Sequence, residues 1–134
     1  MPPILKVLVG LPRSGKSTWA GQQGLPIVNP DAIRLAIHGQ AFYQQAEPLV
    51  WAFAHMMVDA LFKAGHAVVI LDATNTTKKR RDEWLSKDFD TSYKVFDTEP
   101  AECIRRAQKG GREDLVPVIE RMAKQWDLPK PEGW

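Results

Sequence analysis

Cys103 is the one cysteine in this chain of 134 residues. That scarcity excludes a disulfide framework and a thiolate metal centre, and it makes the cytoplasm the expected compartment. His38, His55 and His66 lie far apart and offer no metal-ligand spacing. No apolar run approaches the roughly 18 residues of a membrane span, so no membrane partner is expected. The first residues, Met1-Pro2-Pro3-Ile4-Leu5-Lys6, lack the charged and apolar regions of a signal peptide. Charge of neither sign dominates: 18 basic against 16 acidic residues give +2. That is too little to hold long duplex nucleic acid nonspecifically, but it is compatible with a site that grips one phosphate or one strand end.

What is present is a core-forming composition, with 44% hydrophobic and 25% charged residues, sized for one domain over residues 1–134. Short apolar runs predict strands at Ile4 to Val9, Pro26 to Asn29, Ala67 to Leu71 and Ser92 to Phe96. Helices are expected at Ser17 to Gln23, from Asn29-Pro30-Asp31 onward, from Pro48 to Gly65, and at Lys78 to Ser86, Pro100 to Ala107 and Pro117 to Trp126. The stripe Leu49, Phe53, Met56, Met57, Ala60 and Leu61 predicts the core face of the long helix. Alternation of strands and helices predicts an α/β fold: a parallel β-sheet of about four to five strands with helices on both faces. The tail from Asp127 is expected to be irregular.

The segment Gly10-Leu11-Pro12-Arg13-Ser14-Gly15-Lys16-Ser17 fits G-x-x-x-x-G-K-[ST], between a predicted strand and a predicted helix. By chance such a pattern occurs in about one chain of this length in a few hundred. The glycines let the backbone wrap phosphates, and the exposed N–H groups with the helix end hold negative charge. Lys16 is expected at the β and γ phosphates of ATP or another NTP, Ser17 at Mg²⁺, and Thr18 with the rest of the loop among the ATP contacts. Asp72, closing the apolar strand, is the expected second metal support.

A phosphate loop serves switches, motors and kinases alike, so the acceptor side must decide between them. Asp31 is placed to take a proton from an attacking hydroxyl, and Arg34, on the same helix face, to hold an anionic group. The same residues read equally well as a helix start, with Asn29 as cap, Pro30 in the first turn and Asp31 favouring the dipole. Arg105 to Arg112, two glycines flanked by cations, reads either as a lid over about 105–116 that closes on phosphates or as a solvated loop. A lid arginine supplies roughly 10³ to 10⁵ in rate. Lys78 to Arg81 reads as a solvated helix face.

Taken together, Gly10 to Trp19, Val28 to Arg34, Val69 to Asn75, Arg80-Arg81 to Trp84, Lys94 to Asp97 and Val116-Pro117 resemble the 5′-hydroxyl polynucleotide kinases, in order and over nearly the whole chain. The resemblance implies a P-loop kinase fold with a C-terminal helical lid and ATP-dependent phosphorylation of the 5′-hydroxyl ends of DNA or RNA. It implies a role in nucleic-acid repair and, if the chain is phage-encoded, the host cytoplasm. It implies Asp31 as general base, Arg34 as the grip on the phosphate beside the reacting hydroxyl, and Lys16 and Ser17 as triphosphate contacts. Arg106 would be one lid arginine, and Lys109 or Arg112 the second lid cation. The phosphatase domain carried by the best-known phage member is not expected. Asp88-Phe89-Asp90-Thr91-Ser92 resembles a D-x-D-x-T phosphatase motif only superficially and is expected to be a turn. A small-molecule kinase for a sugar or nucleoside, and a nucleotide-dependent switch, are the competing readings. Cys103 is expected to be buried and inert, and Trp126 and Trp134 to pack in the tail.

Overall fold

The computed structural model describes residues 1–39, 44–132 and 134. β1 (Ile4–Val9) is followed by α1 (Lys16–Gly21), β2 (Ile27–Val28), α2 (Pro30–His38), α3 (Glu47–Lys63) and β3 (Val68–Leu71). α4 (Lys78–Asp82), β4 (Asp90–Val95), α5 (Pro100–Lys109) and α6 (Val116–Gln125) complete it. The four strands are all parallel, in the order β2-β3-β1-β4. β1 therefore lies inside the sheet, paired with β3 from Ile4↔Val68 to Val7↔Leu71 and with β4 from Ile4↔Asp90 to Val9↔Val95.

Burial of β1 on both faces explains its apolar character, broken only by the half-buried Lys6. Leu5 and Val7 join Val69, Leu71, Val50, Ala54, Val58 and Trp84 in one core, while Val9 joins Leu11, Cys103, Ala107, Ile119 and Trp126. On the other side Leu8 packs with Ile70 and Ala20 of α1. Parallel strands need crossovers, and the crossover helices cover these faces.

β1 runs two residues beyond its pairing with β3. There Asn75 takes over: its Nδ2 donates to Leu8 O at 2.8 Å, and Gly10 N donates to Thr74 O at 3.0 Å. Asn75 holds φ 48°, a left-handed conformation that asparagine tolerates better than most residues. Arg81 Nη1 in turn donates to Asn75 O at 3.0 Å, and Nη2 to Asp127 Oδ1 at 2.6 Å. Asp127 also accepts from Lys78 N. The first residue of the tail thus clasps α4 to the end of β1.

Several expectations change. Arg81 is buried rather than solvated, because Asn75 and Asp127 satisfy its guanidinium. α4 stops at Asp82 rather than Ser86, and β4 begins at Asp90, so three of the five residues from Asp88 to Ser92 are strand rather than turn. On α3 the buried stripe is Val50, Ala54 and Val58. Leu49, Phe53, Met56 and Met57 face outward. The helix is apolar nearly all round, so periodicity alone could not choose which stripe meets the sheet. Among the described residues no helix is long and apolar enough to cross a membrane.

This packing fixes a ranking of stabilities. Trp84→Ala, which empties a fully buried site, is expected to cost about 3–5 kcal/mol in denaturant unfolding. Met56→Ala, on the exposed stripe, is expected to stay within about 0.5 kcal/mol of the parent. A cost of several kcal/mol for Met56→Ala would place the other face of α3 on the sheet.

Candidate active site

The candidate site gathers at the carboxyl ends of β1, β2 and β3, the end of a parallel sheet where ligand crevices form. After β1 the chain turns through Gly10 to Gly15, with Arg13 at φ 67° and Gly15 at φ 102°, straight into α1. A Cβ on Gly10 would lie 2.6 Å from Ser14 Oγ and 3.0 Å from Phe96 Cβ, so this position tolerates no side chain. Leu11 anchors the loop in the core, and Thr98 Oγ1 donates to Ser14 O at 2.9 Å from the segment after β4. Pro12 lies half-buried beside the exposed Arg13, and Thr18 stands exposed in the first turn of α1.

Lys16 is buried, and its Nζ donates to Leu11 O at 2.7 Å and Ser14 Oγ at 3.4 Å. Its ammonium thus folds back on the loop's own oxygens. Burial pulls its pKa down from 10.5 to about 8, against the opposing pull of Asp72 and, more weakly, Asp31. Cys103 sits in the core beneath, its Sγ donating to Thr98 O at 3.6 Å and its thiol pushed up to about 11 by burial. It is inert, as expected from its surroundings.

Ser17 Oγ donates to Asp72 Oδ2 at 2.7 Å, so the two expected metal supports meet. Asn29 Nδ2 donates to the same carboxylate oxygen at 3.4 Å, while its Oδ1 caps α2 by accepting from Asp31 N at 2.9 Å. A hydroxyl beside a carboxylate is a hard, oxygen-only donor pair. Such a pair suits Mg²⁺, which takes few protein ligands and fills its shell with water and phosphate oxygens. Among the described residues no cluster of three acidic, histidine or cysteine side chains competes as a metal site.

α2 presents Asp31 and Arg34 one turn apart. Arg34 Nη1 donates to Asp31 Oδ1 at 2.6 Å, Nε to Glu47 Oε2 at 2.8 Å and Nη2 to Glu47 Oε1 at 2.6 Å. The Arg34 side chain is only 13% exposed, whereas Asp31 is 75% exposed. Both carboxylates, Glu47 the more strongly, raise the Arg34 pKa against its burial. Glu47 escaped the sequence reading because its only local signal, an acid before Pro48 in a first helical turn, is that of an ordinary helix start. Its pairing spans thirteen positions and depends on how α3 returns across α2. Asn29 was read as a cap alone, and its reach to Asp72 likewise needed the fold.

The arginine-rich segment is less loop-like than expected. α5 continues through Lys109, Gly110 and Gly111 make the turn, and Glu113–Leu115 form a 3-10 turn before α6. Arg106 Nη1 donates to Arg13 O at 3.2 Å, and its Nε to Glu102 Oε1 at 3.2 Å, placing it on the phosphate loop. Arg105 pairs with Glu102 at the surface. Arg112 pairs with Asp114 at 3.0 Å, which raises its pKa, and Asp31 adds weakly in the same direction. Lys109 is exposed at the end of α5. Trp134 and Trp126 pack together with ring centroids 4.5 Å apart, and Trp134 Nε1 donates to Asp97 O, so both serve tail packing.

Residues 5–128 match the family model described as AAA domain. The chain belongs to that family. A chain of the Pnkp1/Rnl/Hen1 complex superposes with TM-score 0.70 at 32% identity, over 78% of this chain and 39% of that one. A chain of the Pnkp1/Rnl/Hen1 RNA repair complex does so with TM-score 0.69 at 25% identity, over 97% and 49%. This family member therefore spans less than half the length of those two chains. A gluconokinase from Sinorhizobium meliloti 1021 shares the fold, with TM-score 0.62 at 18% identity over 98% and 79%. No curated protein matches in sequence. The P-loop kinase fold and the nucleotide-binding loop read from the motifs thus stand, and so does the resemblance to polynucleotide kinases.

The buried lysine makes two measurements informative. With a folded pKa of about 8 against 10.5 unfolded, Lys16 binds fewer protons in the native state than in the unfolded state between those values. Its contribution to the stability of the nucleotide-free chain is therefore expected to rise with pH across that window. Phosphates reverse the balance by favouring the ammonium. ATP binding near pH 8.5 is expected to take up a proton, seen as a calorimetric heat that varies with buffer ionisation enthalpy, and to weaken as pH rises further. Gly10→Ala is expected to abolish nucleotide binding in the same titration while the circular dichroism of the fold persists. Binding by that variant within twofold of the parent would contradict the crowding at Ser14 and Phe96.

Proposed function

We propose that the chain is an ATP-dependent kinase of the 5′-hydroxyl ends of DNA or RNA, with residues 1–134 as one kinase domain and about 105–116 as its lid. The supporting observation is the position of Asp31. Its solvent-open carboxylate is tied to Arg34 and lies within electrostatic reach of both Lys16 and Arg112. A switch or motor needs no such acid opposite its phosphate loop, whereas transfer to an alcohol does. The similarity to chains of an RNA repair complex points the acceptor towards nucleic acid.

In this reading the backbone N–H groups from Gly10 to Thr18 cradle the triphosphate, and Lys16 leaves Leu11 O to meet its outer phosphates. Ser17 and Asp72 would hold Mg²⁺, which would neutralise charge on the phosphate oxygens. Asp31 accepts the proton of the attacking 5′-hydroxyl. Arg34, fixed by Glu47, orients Asp31 through Nη1 and turns the remaining edge of its guanidinium toward the phosphate next to that hydroxyl. Arg106, already on the loop, and Arg112, rather than Lys109, stabilise the transferring phosphoryl group.

Incubation with γ-labelled ATP, Mg²⁺ and a 5′-hydroxyl oligonucleotide is expected to label the strand end. Label on a free sugar or nucleoside in place of the strand would move the assignment to a small-molecule kinase. Hydrolysis with no acceptor labelled would move it to a switch. Asp31→Asn is expected to cut kcat by about 10² or more while leaving ATP affinity within twofold. Unchanged turnover would reduce Asp31 to the start of a helix.

A further inference from the structure

We infer that Arg80, lying on Trp51, forms a second phosphate-binding position for the strand beyond Arg34; this rests on the polynucleotide reading above. On the first two turns of α3, Glu47 and Trp51 are four residues apart and share a face. Glu47 holds Arg34, and the Arg34 guanidinium carbon lies 5.9 Å from the centroid of the Trp51 ring. The guanidinium carbon of Arg80, on α4, lies 4.2 Å from the same centroid. Both guanidinium groups therefore lie over one indole.

Charge makes the second cation necessary. Arg34 is matched by two carboxylates, so the group Asp31, Arg34 and Glu47 carries a net negative charge. Alone, such a group repels a polyanion. Arg81 cannot correct this, being buried against Asp127; of the cations Lys78, Lys79 and Arg80 on the same short helix, Arg80 is the one over the Trp51 ring that Arg34 also approaches. Arg80 is paired only at the surface, with Glu83. Its side chain is 39% exposed, and its contact with Glu83 at 3.1 Å is a surface pair that a phosphate can displace. Stacking on indole also matters for geometry. A guanidinium with its face on a ring points all its N–H donors outward along its edge, where a phosphate can be held bidentately.

The test uses the full chain, a 3′-labelled ten-nucleotide 5′-hydroxyl strand in fluorescence anisotropy, and phosphorylation of that strand against a nucleoside 3′-monophosphate. Arg80→Ala is expected to weaken strand binding about tenfold and to reduce the slope of log affinity against log salt by about 0.7, one phosphate contact on a single strand. The strand KM is expected to rise in proportion, with kcat and the KM of the nucleoside 3′-monophosphate within twofold. Arg80→Lys, which cannot stack as a flat fork, is expected to recover the salt slope but only part of the affinity. Glu83→Gln, which frees Arg80, is expected to tighten strand binding, and it remains decisive if Arg80→Ala folds poorly. An unchanged salt slope, an equal rise in KM for both acceptors, or no tightening in Glu83→Gln would overturn the subsite. Failure of the parent chain to label either acceptor, with the salt slope still lost in Arg80→Ala, would sink the kinase assignment and leave the strand-binding position standing.

Discussion

The hydrogen bond from Asn75 to Leu8 O decides where the active end of the molecule begins. β3 leaves β1 after Val7↔Leu71, yet β1 must run on, fully buried, to deliver the phosphate loop. Backbone groups in that extension have lost their strand partner and cannot reach water, so each needs a substitute. Asn75 and Thr74 supply it, and Arg81 and Asp127 hold Asn75 in place. The geometry of Gly10 to Ser17 is inherited from this arrangement.

Around that anchored loop the charges are paired before any ligand arrives. Lys16 rests on Leu11 O, Ser17 on Asp72, Arg34 on Glu47 and Asp31, and Arg106 on Arg13 O. The pairing holds each side chain close to where phosphoryl transfer would use it, which lessens the ordering left for the moment of binding. Asp31 differs from the buried Lys16 and the mostly buried Arg34 in standing open to solvent, which the proposed role of meeting an incoming hydroxyl requires.

The sheet, the loop, and the meeting of Ser17 with Asp72 were legible in the sequence because each depends on local pattern: an apolar run, glycines at fixed spacing, an acid closing a strand. The acceptor side was legible only by half. Asp31 and Arg34 stand three apart on one helix, so their pairing follows from helical geometry. Glu47, by contrast, sits beyond a loop, and nothing in its neighbourhood distinguishes it from a helix-opening acid. α3 shows the same limit in another form. With apolar residues on nearly every side, its sequence could not say whether Val50, Ala54 and Val58 or the larger Leu49, Phe53 and Met56 would meet the sheet. Arg81 looked like one of four exposed cations until Asp127, from the far end of the chain, arrived beside it.

The self-contact of Lys16 has a consequence for selectivity among anions. Because the ammonium already has a carbonyl partner, an incoming phosphate does not simply add an attraction; it trades one partner for another. The trade is unfavourable for a weakly charged anion and favourable for one dense enough in charge to outcompete the Leu11 carbonyl for the ammonium. A single loop can thereby ignore the abundant small anions of its surroundings and answer to a polyphosphate.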